Sequence, residues 1–482
     1  MPRVSPAQRW RPQAQPSVVD AAPLPRVRAL SAWLLVFLVA GLTLEWISLV
    51  NLGRDNLKWF HVAAIAFIVV YLVYRRPGRS LAPVLVANAS VYLAWIVTLL
   101  LLLAFGLTQH SPVFGPLDVV RQVFYAGTSV VVAAFFLDIE DPRVRRIVAW
   151  AGVAGVVVVV AGLTLALRSQ GTNPVTIFKE TLATGNPDVL GRQLLASAFT
   201  SQEITQAGVN LRHKVFGAVL IATFLGLAVG HRHRLAGGSW RQWLFKGATA
   251  LGFALVVLSL SRSVTLGLVF TAVIYVGRAV IGTKARPMQA AAILSGVVVV
   301  AVMFLSPLGA VVTTRWFSET DSYDARLSNT DTFVSQMSGA AVAGLDSPEK
   351  TPHIMLADVF LSGGVLTAVP ATIFLLGFVR RWGREVVRYL NGGQGWVVPV
   401  GHIWVIGLGV SAIVRMFTAS DGLHMNDWVA IGATLGIIQA NERAVARGDE
   451  IQPAQVDDTP PPSRRRSRAV PGRANRQPAT VS

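Results

Sequence analysis

Long apolar stretches recur along the chain, and short loops rich in arginine separate them in strict alternation. A bilayer core takes about 20 apolar residues per helical crossing. Spans are predicted near 30–51, 58–75, 81–107, 117–137, 147–167, 213–230, 243–261, 263–281, 289–307, 355–379, 394–416 and 426–440. Lysine and arginine concentrate in cytoplasmic loops of membrane proteins. With the N-terminus placed inside, the inner segments hold Arg75–Arg76–Arg79, Arg143–Arg145–Arg146, Arg232–Arg234–Arg241–Lys246, Arg278–Lys284–Arg286 and Arg380–Arg381–Arg384–Arg388. Together with both tails they carry 30 of the 43 basic and 10 of the 25 acidic residues. An odd number of spans would destroy this segregation. The expected fold is therefore all-α, a polytopic membrane helical bundle of about twelve transmembrane helices with both termini cytoplasmic, in the cytoplasmic (inner) membrane.

Composition agrees. Hydrophobic residues make up 53% and charged residues 14% of 482 residues, where soluble domains carry roughly 25% charged. The net charge of +18 is a topology signal, and no nucleic-acid-binding pattern accompanies it. The chain has no cysteine, which excludes disulfides, thiolate metal sites and a cysteine nucleophile. Residues 1–28 and 441–482 read as disordered basic cytoplasmic tails, the second Pro-rich with Arg464–Arg465–Arg466, flanking a transmembrane domain over 29–440. Such tails touch anionic lipid heads.

Two long external segments remain, 168–212 and 308–354. Loops of this length are functional or unstructured. The first places Leu190, Leu194, Leu195 and Phe199 on one helical face, and the second places Leu327, Phe333, Val334, Met337 and Ala341 near helical spacing.

The polar residues at the outer edge are the candidates for chemistry. Arg262 stands between two apolar spans in Ser259–Leu260–Ser261–Arg262–Ser263. A guanidinium matches phosphate bidentately, and Ser261 and Ser263 add hydroxyl donors. Snorkelling to lipid phosphates is the plainer explanation, but anchoring arginines otherwise mark the inner side here. His353 ends the second long segment, and a neutral imidazole there can act as general base; a solvated loop histidine is the alternative. Arg315 and Arg326 lie among Glu319, Asp321, Asp324 and Asp331, suited either to simple ion pairs or, with Arg262, to clamping a diphosphate. Gly208 to Gly217 brings Arg212, His213 and Lys214 to the outer interface. Glu45, Arg121, Asp358 and Arg415 fall within predicted spans, where charge is costly and calls for pairing inside the bundle. Gly363–Gly364 reads as a site of close helix packing. No Walker loop and no His-Glu-x-x-His pattern is present.

These segments resemble the O-antigen ligase and O-antigen polymerase superfamily, which includes exopolysaccharide polymerases. Ser259–Leu260–Ser261–Arg262–Ser263 is similar to that family's Ser/Thr-x-Ser-Arg-Gly/Ala reversal. Gly208–Gly217 is similar to its Gly-x-x-x-His-Lys-Asn-x-x-Gly segment, with Val215 at the asparagine. His353, followed by Leu356 and Gly364, is similar to the start of the span after the large external loop. The match covers roughly 200–380, and Arg326 lacks the tryptophan that usually follows the loop arginine. The resemblance implies a metal-independent membrane glycosyltransferase with no cofactor. Its donor is a polyprenyl-diphosphate-linked glycan and its acceptor a glycan or lipid. His353 is the implied base, and Arg262, Arg326, Arg315, Arg212, Lys214 and His213 the implied diphosphate ligands. Membrane lipids are partners and nucleic acid is not. The main alternative is a twelve-span secondary transporter or exporter, weighed down by the lack of evident two-half symmetry and of interrupted spans. A polyprenyl-monophosphate-dependent transferase and an export subunit are further alternatives.

Overall fold

A computed structural model describes residues 25–183 apart from scattered positions, 210–230, 240–281 except 260, 321–346, 354–418 and 423–448. The described residues are nearly all helical: α1 (Pro25–Leu42), α2 (Trp59–Tyr74), α3 (Pro77–Ala87), α4 (Ala89–Gly106), α5 (Pro116–Phe136), α6 (Pro142–Ser169), α7 (Asn210–Gly230), α8 (Trp240–Leu258), α9 (Arg262–Ile281), α10 (Asp321–Ala340), α11 (Met355–Leu390), α12 (His402–Met416) and α13 (Met425–Ala446). One antiparallel hairpin, β1 (Ser48–Leu52) with β2 (Asp55–Lys58), joins α1 to α2. Four helices are long and apolar enough to cross a membrane: Ala89–Gly106, Pro116–Phe136, Pro142–Leu165 and Met355–Leu390. Side chains such as Leu100, Val120, Val157 and Val369 on these helices are exposed, as expected where lipid is the solvent. These apolar helices mark a membrane protein.

Without a hydrophobic force between lipid-bathed helices, small residues that let backbones approach hold the bundle. On α13 a Cβ at Gly432 would lie 2.4 Å from Ser129 O, and one at Gly436 2.4 Å from Ala133 O, both on α5. On α7 a Cβ at Gly226 would lie 3.0 Å from Ala149 O of α6, and at Gly152 of α6 one would lie 3.2 Å from Ala222 O. Trp95 of α4, Phe374 of α11 and Trp428 of α13 form an aromatic knot, with ring centroids 4.9 Å (Trp95–Phe374), 5.7 Å (Trp95–Trp428) and 5.7 Å (Phe374–Trp428) apart. The Trp428 indole N–H donates to Gln122 Oε1 at 3.1 Å, and Gln122 Nε2 donates to Leu423 O at 2.7 Å, so the buried Trp428 indole and the Gln122 amide both find partners.

Several predicted spans differ in outline. The stretch 30–51 is not one helix: α1 stops at Leu42, and Ser48–Leu52 pairs as a strand. Glu45 interrupts the apolar run, and the polar Asn51–Asn56 pairing gives the backbone a ladder instead of further helix. The stretch 81–107 is two helices separated at Asn88, whose side-chain amide donates to Val84 O at 2.9 Å and so competes with the helical backbone. Helix α11 reaches Leu390 and α13 spans 22 residues, while α12 starts only at His402. Helix α1 begins at Pro25, inside the predicted tail 1–28, and α13 runs to Ala446, inside the predicted tail 441–482. Helix α10 occupies much of the segment 308–354, in accord with its helical spacing. The predicted span 289–307 and the 190–199 face lie outside the described residues.

Gly363–Gly364 is a place of close packing, where a Cβ on Gly363 would lie 3.0 Å from Phe105 Cδ2 of α4, and it is also where α11 breaks. Gly363 has φ −150° and ψ 17°, and Gly364 has φ 63° and ψ −154°, the second a conformation open essentially to glycine alone. Neighbouring groups meet several of the backbone groups released by the break. Leu345 N–H donates to Leu361 O at 2.7 Å, Val365 N–H to Ala341 O at 3.0 Å, Gln109 Nε2 to Ser362 O at 2.8 Å and Thr367 Oγ1 to Val359 O at 2.8 Å. The turn after α10 is thereby clasped to the interrupted span. Interrupted spans are tolerated in a membrane where neighbouring chain satisfies the freed groups.

Candidate functional site

The helix reversals bring the C-terminal ends of α1 and α12 and the N-terminal ends of α5, α7, α9 and α13 together beside the β-hairpin. Charged residues gather there. At the start of α5, Asp118 Oδ2 accepts the Gly115 N–H at 3.1 Å and its Oδ1 holds Arg121 Nη2 at 2.6 Å, an acidic residue in a first turn and its i+3 partner. Glu45, buried beyond α1, has Lys58 Nζ of β2 at 3.5 Å and Lys214 Nζ of α7 at 4.0 Å from Oε1. The Lys58 N–H donates to His61 Nδ1 at 3.0 Å. In the neutral ring the proton therefore sits on Nε2, which faces the Tyr125 hydroxyl at 3.4 Å.

The other half of the cluster surrounds the start of α13. The His424 N–H donates to Asp427 Oδ2 at 2.9 Å and caps the helix. Asp427 is fully buried, and its Oδ1 lies 3.7 Å from Nε of Arg415, itself 6% exposed at the end of α12. Asn426 links the two halves by donating to Lys214 O at 3.3 Å. Burial, and the charges of Lys214, Arg415, Arg121 and Lys58, push the His424 imidazole well below its ordinary value, so the ring is neutral at neutral pH. Among the described residues, four basic side chains (Lys58, Arg121, Lys214, Arg415) and three acidic ones (Glu45, Asp118, Asp427) thus meet at one end of the bundle beside His61 and His424.

The predicted site residues divide into three groups. Lys214 lies in this cluster. Ser261, Arg262 and Ser263 open α9 after a tight reversal in which the Ser261 N–H donates to Ser259 Oγ at 3.2 Å and Ser259 Oγ donates to Val256 O at 2.6 Å. Both serines are buried and Arg262 is half-buried. Val264, two residues on, meets the cluster: a Cβ on Gly217 would lie 3.9 Å from Val264 Cγ2 and 3.0 Å from Asn426 Nδ2. Arg212 and His213 stand in the first turn of α7 and Arg326 in α10, with side chains outside the described residues. Arg315 and His353 lie outside the described residues altogether, His353 adjoining Ile354, the N-cap of α11.

Of the in-span charges, Glu45, Arg121 and Arg415 do pair, at helix ends rather than at mid-span, and Asp358 is fully buried in the first half of α11. Sequence reading did not single out Lys58, His61, His424, Asn426 or Asp427. The signal for Asp427 was the Asp at the third residue of a helix whose N-cap is His424. For Lys58 and His61 it was the basic-aromatic close of a polar turn. Among the described residues no group of three or more His, Asp or Glu is set to hold a metal ion.

No family model matches this chain, and no curated protein matches it in sequence.

Proposed function

We propose that this chain is a multi-pass protein of the cytoplasmic membrane, with about twelve spans and both termini inside, that transfers or polymerises glycan from a polyprenyl-diphosphate donor at the outer face. The observation that supports this best is the convergence of Lys58, Lys214 and Arg415 with the start of α9, which carries Arg262, at one end of an apolar bundle. That end is the outer one when the arginine-rich loops face the cytoplasm.

The donor's lipid tail runs among the spans, and its diphosphate meets Arg262 with Lys214, aided by Arg212, His213 and Arg315 or Arg326 of the external segments. His353 takes the proton of an acceptor hydroxyl on a glycan or lipid. The hydroxyl oxygen bonds to the anomeric carbon while the bond from that carbon to the diphosphate oxygen breaks, and polyprenyl diphosphate leaves with the electron pair. Ser261 and Ser263 supply hydroxyls beside the guanidinium. Fixed donors aimed at growing negative charge contribute about 2.7–4 kcal/mol each in comparable transfers.

The test is to express Arg262→Ala and His353→Ala in cells lacking the wild-type chain. Both should abolish glycan transfer at normal protein level, and full transfer in either removes that residue from the mechanism.

One observation favours a second reading, a secondary transporter or exporter: the break in α11 at Gly363–Gly364, since interrupted spans build carrier sites. A transporter accumulates substrate in proteoliposomes and tolerates loss of His353.

A further inference from the structure

Between Glu203 and Glu319 the sequence holds no acidic residue, yet it places Arg241 and Lys246 in the first two turns of α8, so no carboxylate close in sequence balances them. Each stands instead over an exposed indole. Arg241 Cζ is 5.6 Å from the Trp240 ring centroid and Lys246 Nζ is 5.8 Å from that of Trp243, within cation–π reach. Trp240 is 63% and Trp243 72% exposed. They begin a stripe of exposed residues, continued by Leu244, Gly247, Leu251 and Ala254 at helical spacing. The opposite face of α8 is closed: a Cβ on Gly252 would lie 2.5 Å from Thr223 Oγ1 of α7 and 3.1 Å from Val156 Cγ2 of α6. The open stripe therefore faces lipid, and the tryptophans stand at its end, the place an indole takes at a membrane interface. The start of α6 adds charge beside them. A Cβ on Gly230, the last residue of α7, would lie 3.1 Å from Phe245 Cζ of α8 and 3.3 Å from Ala149 Cβ of α6, so the two helix starts converge there. Arg146 stands one turn before Ala149 and Arg143 one turn before that, both exposed. Asp141, at the same start, is already engaged, with Oδ2 3.8 Å from Arg28 Nη1 and Oδ1 accepting the Arg143 N–H at 2.9 Å. Along α7 this edge lies about 24 Å from Lys214, at the far end of the bundle from the hairpin.

We infer that this edge is a seat for an anionic phospholipid of the phosphatidylglycerol class. Arg241 and Lys246 hold the phosphodiester, Arg143 and Arg146 extend the positive field, and Trp240 and Trp243 pack against the glycerol backbone and the first methylenes of the chains. Charge and chemistry select this occupant. Basic side chains gathered at the end of a lipid-facing helix favour a headgroup of net negative charge over a zwitterionic one, and a guanidinium forks onto a phosphate. An indole offers an apolar face and an N–H at the depth where headgroup gives way to hydrocarbon. The stripe runs on from the tryptophans along the lipid-facing side of α8, so one lipid molecule fills both the charged end and the apolar track. With the arginine-rich loops inside, the seat lies in the cytoplasmic leaflet. The inference does not depend on glycan transfer; it needs only that α8 meet lipid.

The experiment uses the full chain, which has no cysteine of its own, with Gly247→Cys carrying a bimane fluorophore. That exposed position, one turn from Trp243, has nothing within 4 Å of its Cβ. The labelled protein in phosphatidylcholine vesicles is titrated with phosphatidylglycerol or phosphatidylcholine brominated on the acyl chains. Brominated phosphatidylglycerol should quench at a mole fraction about tenfold lower than brominated phosphatidylcholine, and the advantage should shrink as salt is raised. Each basic residue at an anionic surface contributes about fivefold, so Arg241→Gln/Lys246→Gln should reduce the advantage to about twofold or less. Arg143→Gln/Arg146→Gln, which leaves the indoles and their cations in place, should reduce it in part. Thermal midpoints measured alongside establish that each exposed-site variant is folded. Leu93→Cys, labelled on the exposed face of α4, is the reference and should show little preference. Equal quenching by the two lipids at position 247, an advantage that the folded Arg241→Gln/Lys246→Gln variant keeps, or the same advantage at position 93 overturns the inference. Glycan transfer plays no part in the readout, so that failure would leave the glycan reading standing, and a chain that transfers no glycan could still show the lipid preference.

Discussion

Replacing Gly364 by alanine should open the clasp between the turn after α10 and the break in α11. At φ 63° and ψ −154° a residue with a Cβ is strained by about 1–3 kcal/mol. The Cβ would also lie 2.2 Å from Val342 O and 2.7 Å from Ala340 O, distances that backbone atoms cannot share, so the turn must move. Moving it breaks the Val365 N–H to Ala341 O and Leu345 N–H to Leu361 O hydrogen bonds, each contributing about 0.5–1.5 kcal/mol. The total is about 2–6 kcal/mol, a large share of the roughly 5–15 kcal/mol that holds a typical fold. Most of it is released locally, because the second half of α11 keeps its packing on α4 and α13. Hydrogen exchange of residues 341–345 and 361–365 reads this directly. Even the lower figure speeds exchange of the Leu345 and Val365 amides about thirtyfold, at a factor of ten per 1.4 kcal/mol. Gly383→Ala, in the same helix with nothing within 4 Å of its Cβ, is the control and should be neutral or mildly stabilising. Wild-type protection at the clasp in Gly364→Ala would refute the account of the break.

Other perturbations probe other levels. Gly436→Leu drives a side chain into Ala133 O, 2.4 Å from the Cβ position, and should destabilise the protein by about 1–3 kcal/mol or more, read as a lowered thermal midpoint in detergent, with Gly247→Ala unchanged. The natural absence of cysteine allows a clean topology test: Cys at exposed Thr108 should react with an impermeant maleimide in intact cells, and Cys at exposed Gln394 only after permeabilisation. Because the folded protein holds His424 below its ordinary value of about 6.5, the unfolded chain binds the extra proton and stability falls as pH drops below that value. Between pH 7.5 and 5, His424→Asn should therefore lose less thermal midpoint than the wild type; an identical pH dependence in the two would mean that other groups titrate.

What was legible in the chain follows from what the bilayer demands. Helices α2, α5 and α9 start and stop within a residue or two of the predicted spans, because an apolar run must be helical to satisfy its own backbone and an arginine cluster or a proline ends it. The breaks were not legible. Asn88 and Gly363–Gly364 sit inside apolar runs, and neighbours distant in sequence, Arg381 at the first (beside the local Asn88 to Val84 bond) and the 341–345 turn at the second, supply bonds that favour a break. The β-hairpin was hidden because Ile47 to Val50 extends the apolar run of α1. At the site, the Asp118–Arg121 pair is written into one helical turn. Glu45 with Lys214, and Arg415 with Asp427, come together only when separate elements fold back on each other, so Glu45 and Arg415 looked like isolated charges in spans. Lys214 was found because it lies in a motif; Arg415 lies in none.

The most direct measurement of the central claim is reconstitution. The purified chain in proteoliposomes, given a polyprenyl-diphosphate oligosaccharide on the hairpin-end face and an acceptor glycan without added metal, should release polyprenyl diphosphate in step with elongated or newly attached glycan, and Arg262→Ala should stop both. Donor that stays intact under these conditions, while labelled oligosaccharide or another solute crosses the bilayer through the wild-type chain, would contradict the enzymatic account and leave a carrier in its place.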